Sequence, residues 1–159
     1  MQTFLPVASI VASARSLDDK RLNKQITETA QILQALDGDH FSERALLRSR
    51  RTGKPPRKGW TNHPAVRMWR GCEGFLALYG VACFTEWVRR GGSERHRGYP
   101  IIARYLDLGG ATETEPWWFG DPVFHESHQS RLVQKLPEHY LPQFPDVTRD
   151  LEYVWPEAA

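Results

Sequence analysis

The feature that most constrains this chain is a recurrence of apolar residues at steps of three and four: Leu22, Ile26, Ala30, Leu33 and Leu36. That spacing lines one face of an α-helix, which begins after Ser16 and stops near Asp37-Gly38. The same period returns after His63-Pro64. Here Val66, Trp69, Cys72, Phe75, Leu76, Tyr79, Ala82, Cys83 and Trp87 predict a second, long helix ending at Gly91-Gly92. A third is predicted from Val123 to Leu136, with Asp121 as its cap, Pro122 in its first turn and Pro137 closing it. Shorter helical patches fall over Phe41 to Leu47 and Ile101 to Leu108, and no segment alternates as a strand does. The tail from Glu138 to Pro156, with its prolines and with Tyr140, Phe144, Tyr153 and Trp155, predicts an irregular aromatic strap. A chain of 159 residues, 40% hydrophobic and with six tryptophans, has material for one core. The expectation is an all-α single compact domain over residues 1–159, built on three main helices.

Charge is unevenly spread. The formal net charge is only +2, yet Arg44 to Lys58 holds seven basic residues and no acidic one, while the segment after Ala111 holds nine acidic and three basic residues. Within the basic run, Gly53 and Pro55-Pro56 forbid regular structure, so Arg50, Arg51, Lys54, Arg57 and Lys58 sit on a loop. Such a loop is either a solvated surface feature or a set of phosphate contacts, with Trp60 at its end placed to stack or wedge. His63 reads equally as a phosphate contact or as a cap for the helix it precedes. Cys72 and Cys83 lie eleven residues apart on one predicted helix, too far to bridge, and read as reduced core thiols. With reduced thiols, no apolar run near the roughly 20 residues of a membrane span and no signal-peptide pattern, a cytoplasmic location is expected, nucleoid-associated if the partner is DNA.

The polar face of the first helix is unusual. At about 100° per residue, Arg21, Lys24 and Glu28 project together, opposite the apolar stripe, so that one acid sits among bases. This is either an ordinary solvated i,i+4 pair or a carboxylate held in a phosphate-binding cleft. The N-terminus offers something for that carboxylate to serve. An α-amine titrates at about 7.7 to 8.0, against about 10.4 for lysine, so near neutrality part of it is already a free nucleophile. If Phe4 and Leu5 tuck the N-terminal segment against the helix, the amine of Met1 reaches a deoxyribose beside Glu28. A frayed, functionless N-terminus is the alternative.

The opening Met1-Gln2-Thr3-Phe4-Leu5-Pro6 is the first of several blocks that form an ordered set. It is followed by Leu17-Asp18-Asp19-Lys20-Arg21-Leu22 with Gln25, Glu28 and Gln31-Ile32-Leu33, then by Asn62-His63-Pro64 with Met68-Trp69. Phe124-His125, His128, Arg131 and Pro137-Glu138-His139-Tyr140 complete it. Together they resemble the bacterial branch of the pyrimidine-dimer DNA glycosylase (endonuclease V) family. The resemblance implies an all-α fold whose N-terminal segment threads between the helices, with the α-amine as nucleophile and Glu28 as the acid or base. It also departs from the phage members. They expose a threonine after losing methionine, whereas bulky Gln2 makes the Met1 amine the nucleophile here. They carry arginines where this chain has Thr27 and Gln31, and they lack counterparts of residues 44–60 and 93–120.

The function so implied is a DNA glycosylase with coupled AP lyase activity on pyrimidine dimers or another abnormal base, working through an imine of the N-terminal amine. Its partner is double-stranded DNA carrying a damaged or modified base. It needs no cofactor and no metal, and acts as a monomer. Gln2, Lys20, Arg21, Lys24 and His63 join the basic loop as candidate DNA contacts, as do His128, Arg131 and Lys135 along the third helix and His139 and Tyr140 beyond it. His125, Glu126, His128 and His139 do not have the spacing of a helical zinc motif. Two other functions fit the same residues: a glycosylase for a modified phage-type base, serving defence, and a DNA-binding module that has lost catalysis.

Overall fold

The computed structural model describes residues 1–36, 50–51, 53, 60–107 and 114–156. Among them are seven helices and no strand: α1 Ile10–Ser16, α2 Asp19–Leu36, α3 Pro64–Arg67, α4 Glu73–Arg89, α5 Tyr99–Asp107, α6 Pro122–Lys135 and α7 Pro137–Tyr140. The chain is all-helical. The predicted patch over Phe41 to Leu47 and loop residues Lys54, Arg57 and Lys58 lie outside the described residues.

The stripe on α2 does what its spacing requires. Leu22, Ile26 and Leu33 have no exposed surface, Ala30 almost none, and α2 packs against α4 and α5. The start of α2 is fixed by Asp18, whose Oδ1 accepts from Arg21 N–H at 3.1 Å. Tyr140 of α7 locks that cap by donating its hydroxyl to Asp18 Oδ2 at 2.6 Å. Close packing of α2, α4 and α5 depends on Gly80, where an added Cβ would lie 2.7 Å from Thr29 Cγ2 and 2.9 Å from Ile102 Cδ1. At α6, Asp121 accepts from Val123 N–H at 2.9 Å with Pro122 in the first turn, as its sequence demands.

Three expectations need correction. The long helix predicted from Pro64 to Trp87 is two, because Gly71 takes φ +77 between α3 and α4, a left-handed conformation that a continuing helix cannot hold. Cys72 therefore caps α4 instead of lying within it, and both thiols are unpaired. The strap begins later than Glu138, since Pro137–Tyr140 forms a helical turn. Helix α1 was not anticipated. Its seven residues are too short for a period to register, and its one signal is Ser9, which accepts from Ala12 N–H at 3.2 Å.

Candidate active site

Residues 2–6 run extended and buried through the helical core, and an extended backbone without a sheet needs side chains to satisfy its polar groups. The chain supplies them from α2, α4 and α6. Phe4 N–H donates to Gln25 Oε1 at 2.8 Å, and Gln25 Nε2 donates to Gln2 O at 3.0 Å. Tyr79 hydroxyl lies 2.8 Å from both Phe4 O and Gln25 Oε1. Leu5 N–H donates to His128 Nδ1 at 3.0 Å, His125 Nδ1 lies 2.7 Å from Leu5 O, and Gln129 Nε2 donates to Pro6 O at 2.7 Å. Trp69 Nε1 donates to Thr3 Oγ1 at 3.0 Å. The N-terminal segment is held along its length by buried side chains, each costly to leave unpaired.

This bonding also fixes the state of His128. Because Nδ1 accepts from Leu5, the neutral ring carries its proton on Nε2, which therefore donates. The Gln2 carboxamide nitrogen lies 3.0 Å from that Nε2 while its oxygen is buried without a partner. A half-turn of the amide gives the ring an acceptor and the oxygen a donor at once. Burial, with the nearby His125, pushes His128 down to about 3, so it stays neutral across the physiological range.

The threaded segment delivers the N-terminus to Glu28. Gln2 N–H donates to Glu28 Oε2 at 3.3 Å, and Gln25 Nε2 donates to the same oxygen at 3.2 Å. Three covalent bonds separate the Met1 and Gln2 nitrogens, so the amine lies within about 7 Å of that carboxylate. Glu28 is 6% exposed, whereas its partner Lys24, 3.4 Å from Oε1, has a side chain 66% exposed. It is thus a carboxylate set into a wall, with a cation at its lip, and not a solvated surface pair. His63 shares the space. Its ordinary pKa is lowered by burial and by the positive N-terminus, while Glu28 opposes that shift.

A cationic rim surrounds the carboxylate. Lys135 is pushed down by partial burial and by the charges of Arg21, Lys24 and Arg131, which places four basic residues of α2 and α6 around one spot. Arg21 is tied to Asp18 at 2.7 Å, and Arg131 to Glu152 at 2.8 Å, with its guanidinium over the Tyr153 ring. The strap closes the other side. Tyr153 meets both Phe4 and His128, and Trp155 lies edge-on to His63, which in turn meets the exposed Trp60. Trp60 is 63% exposed and holds φ +70, a strained conformation for a bulky residue.

The family model for pyrimidine dimer DNA glycosylases matches residues 1–100. The chain belongs to that family. The match takes in the threaded segment, all of α2 and α4, and hence both Met1 and Glu28. No curated protein and no solved structure gives a match.

Within this glycosylase, the residues anticipated as DNA contacts fall into groups. Lys20, Lys24 and Lys135 are exposed, Arg21 and Arg131 half-buried, and all but Lys20 are coupled to the Glu28 rim; Arg50 and Arg51 are exposed. His63 takes its capping role, accepting from Ala65 N–H at 3.1 Å, and His139 Nε2 lies 3.0 Å from Ser16 O. The expectation that Gln2, His128 and Tyr140 face DNA is corrected: Gln2 is 8% exposed, the other two not at all, and their polar groups serve the interior. The pair Trp117-Trp118 divides, Trp118 entering the core and Trp117 standing 69% exposed. Sequence reasoning gave no role to Gln25, Tyr79 or His125, which hold the N-terminal segment in place. A glutamine at the edge of an apolar stripe was the available signal, since such a group must find a partner when buried. Among the described residues, no group of His, Cys, Asp or Glu could hold a metal, and no helix is long and apolar enough to cross a membrane.

Proposed function

We propose that the chain incises duplex DNA at pyrimidine dimers by a glycosylase step on one of the linked bases coupled to AP lyase cleavage, with the Met1 amine as nucleophile and Glu28 as acid and base. The observation that supports this reading is the Gln2 N–H bond to Glu28, which keeps the nitrogen of Met1 within about 7 Å of a buried carboxylate. Attack of the neutral amine on the anomeric carbon breaks the bond to the base, which leaves with the bonding pair and takes a proton from water. The Glu28 carboxylate takes a proton from the ammonium so formed and passes it to the ring oxygen, which opens the sugar and leaves a protonated imine. The resulting Glu28 carboxylate takes a proton from the adjacent carbon, the 3′ phosphate leaves, and water returns the amine. Lys20, Lys24 and Lys135 with Arg21 and Arg131 would hold the phosphates flanking the sugar, and Trp60 would fill the space vacated by a displaced base.

The test is incision of duplexes that each carry one defined lesion. Strand cleavage at a cyclobutane dimer, leaving an unsaturated aldehyde on one side and a 5′ phosphate on the other, is expected. Cleavage confined to a modified base would favour the defence reading. Binding without cleavage of any duplex would favour a module that has lost catalysis.

A further inference from the structure

On the far edge of α2 from Glu28 lies a wide, open pocket of about 680 Å³, walled by α2 on one side and by residues 93–98 on the other. Asn23, Thr27, Gln31 and Gln34 supply the α2 wall; Arg95 and Arg97 stand in the loop wall, and among the described residues no carboxylate lines the space. The loop is built to sit there. An added Cβ at Gly98 would lie 2.8 Å from Ile26 O, so only glycine allows the approach. His96 turns inward, accepting from Gly98 N–H at 3.1 Å through Nδ1 and bonding the Asn23 backbone. Arg95 and Arg97, on either side of it, are left exposed, and among the described residues neither has an acidic partner.

The exposed arc of α2 connects this pocket to the candidate active site. At about 100° per residue, Lys20, Lys24, Thr27 and Gln31 share roughly 60° of the helix surface, with Glu28 about 40° past Lys24. All four are exposed. A helix with its side chains is only about 10 to 12 Å across, so Glu28 on one edge and Arg95 and Arg97 on the other lie within the span of one duplex. We propose that Arg95 and Arg97, held over the outer edge of α2 by His96 and Gly98, form a second phosphate site that grips the backbone of the duplex engaged at Glu28. The pocket's carboxamides and the Thr27 hydroxyl give the sugar-phosphate chain neutral donors on the wall opposite the two guanidiniums. This inference rests on the reading of the chain as a DNA enzyme, but its test requires no chemistry.

The experiment measures binding of the full chain to an undamaged duplex across a salt series. Each phosphate contact adds about 0.9 to the slope of log affinity against log salt. For Arg95→Gln/Arg97→Gln the slope is expected to fall by about 1.8, so that raising salt from 50 to 200 mM weakens the variant about 12-fold less than the parent. The charge-keeping Arg95→Lys/Arg97→Lys should retain the parent slope. Should the double glutamine variant not fold, each single variant is expected to lose about 0.9. A slope unchanged in the glutamine variants, with the parent binding normally, overturns this site and leaves the proposed function intact. A parent that binds no duplex at any salt overturns both.

Discussion

Gln2 N–H donates to Glu28 Oε2 at 3.3 Å, and this one bond ties the second residue of the chain to the middle of α2. One residue ahead of it lies the amine of Met1. The position of that amine is therefore set by buried side chains on three helices, and the first prediction concerns the carboxylate that receives it.

Glu28→Gln keeps an oxygen for Gln2 N–H but removes the charge and the exchangeable proton. Incision should fall about 10²- to 10⁴-fold, the range for loss of a general acid or base, while affinity for duplex DNA changes little. Single-turnover incision and equilibrium binding of the same variant check both halves. Survival of full turnover would assign the chemistry to another group.

One residue added ahead of Met1 moves the amine by about 3.6 Å, the reach of one extended residue. The buried part of the segment, Gln2 to Pro6, can stay in place. Turnover should fall as far as in Glu28→Gln, with the melting temperature unchanged. Retention of activity would show that the terminal amine is not used.

Gly80→Ala should destabilise the fold by about 1–3 kcal/mol, the usual cost of overpacking. Its new methyl would press on Thr29 and Ile102, and neither belongs to flexible surface. A lower denaturant midpoint at unchanged slope is the expected result.

Acid should weaken the protein in two windows with different owners. His128 is neutral when folded, with its pKa pushed down to about 3, but takes a proton near 6.5 when unfolded. The unfolded state thus holds the extra proton between those values, and stability falls as pH drops through them, by up to about 1.4 kcal/mol per pH unit. Glu86 behaves as a depressed carboxylate. Bonds from Arg89 and Arg90 hold it near 2 against an ordinary 4.5, so its contribution is intact above 4.5 and lost as pH falls toward 2. Urea unfolding across pH should show a shallower slope from about 6.5 down to about 3 for His128→Asn, with the Glu86 contribution below 4.5 retained.

What the sequence disclosed about this fold follows from what is local in it. The Leu22, Ile26 and Leu33 stripe and the Asp121-Pro122 start are periodic or capping signals that a few residues carry, and both hold. Glu28 stood out because an acid among Arg21 and Lys24 is a local anomaly. The break at Gly71 was hidden because the apolar period runs through it, and a single glycine does not announce a positive φ. Gln2, His128 and Tyr140 were misplaced for another reason. A polar residue reads alike in sequence whether it meets solvent or a buried partner; the path of residues 2–6 turns Gln2 and His128 inward, and the Asp18 cap of α2 does so for Tyr140.

The claim on which the account turns is that the chain's first nitrogen is the nucleophile. Borohydride reduction during reaction with an abasic-site duplex, followed by mass spectrometry of the proteolysed adduct, reads this directly. The account predicts one trapped sugar on the Met1 peptide, at the amine itself. A sugar on an internal lysine such as Lys24, or no adduct while incision proceeds, would contradict it.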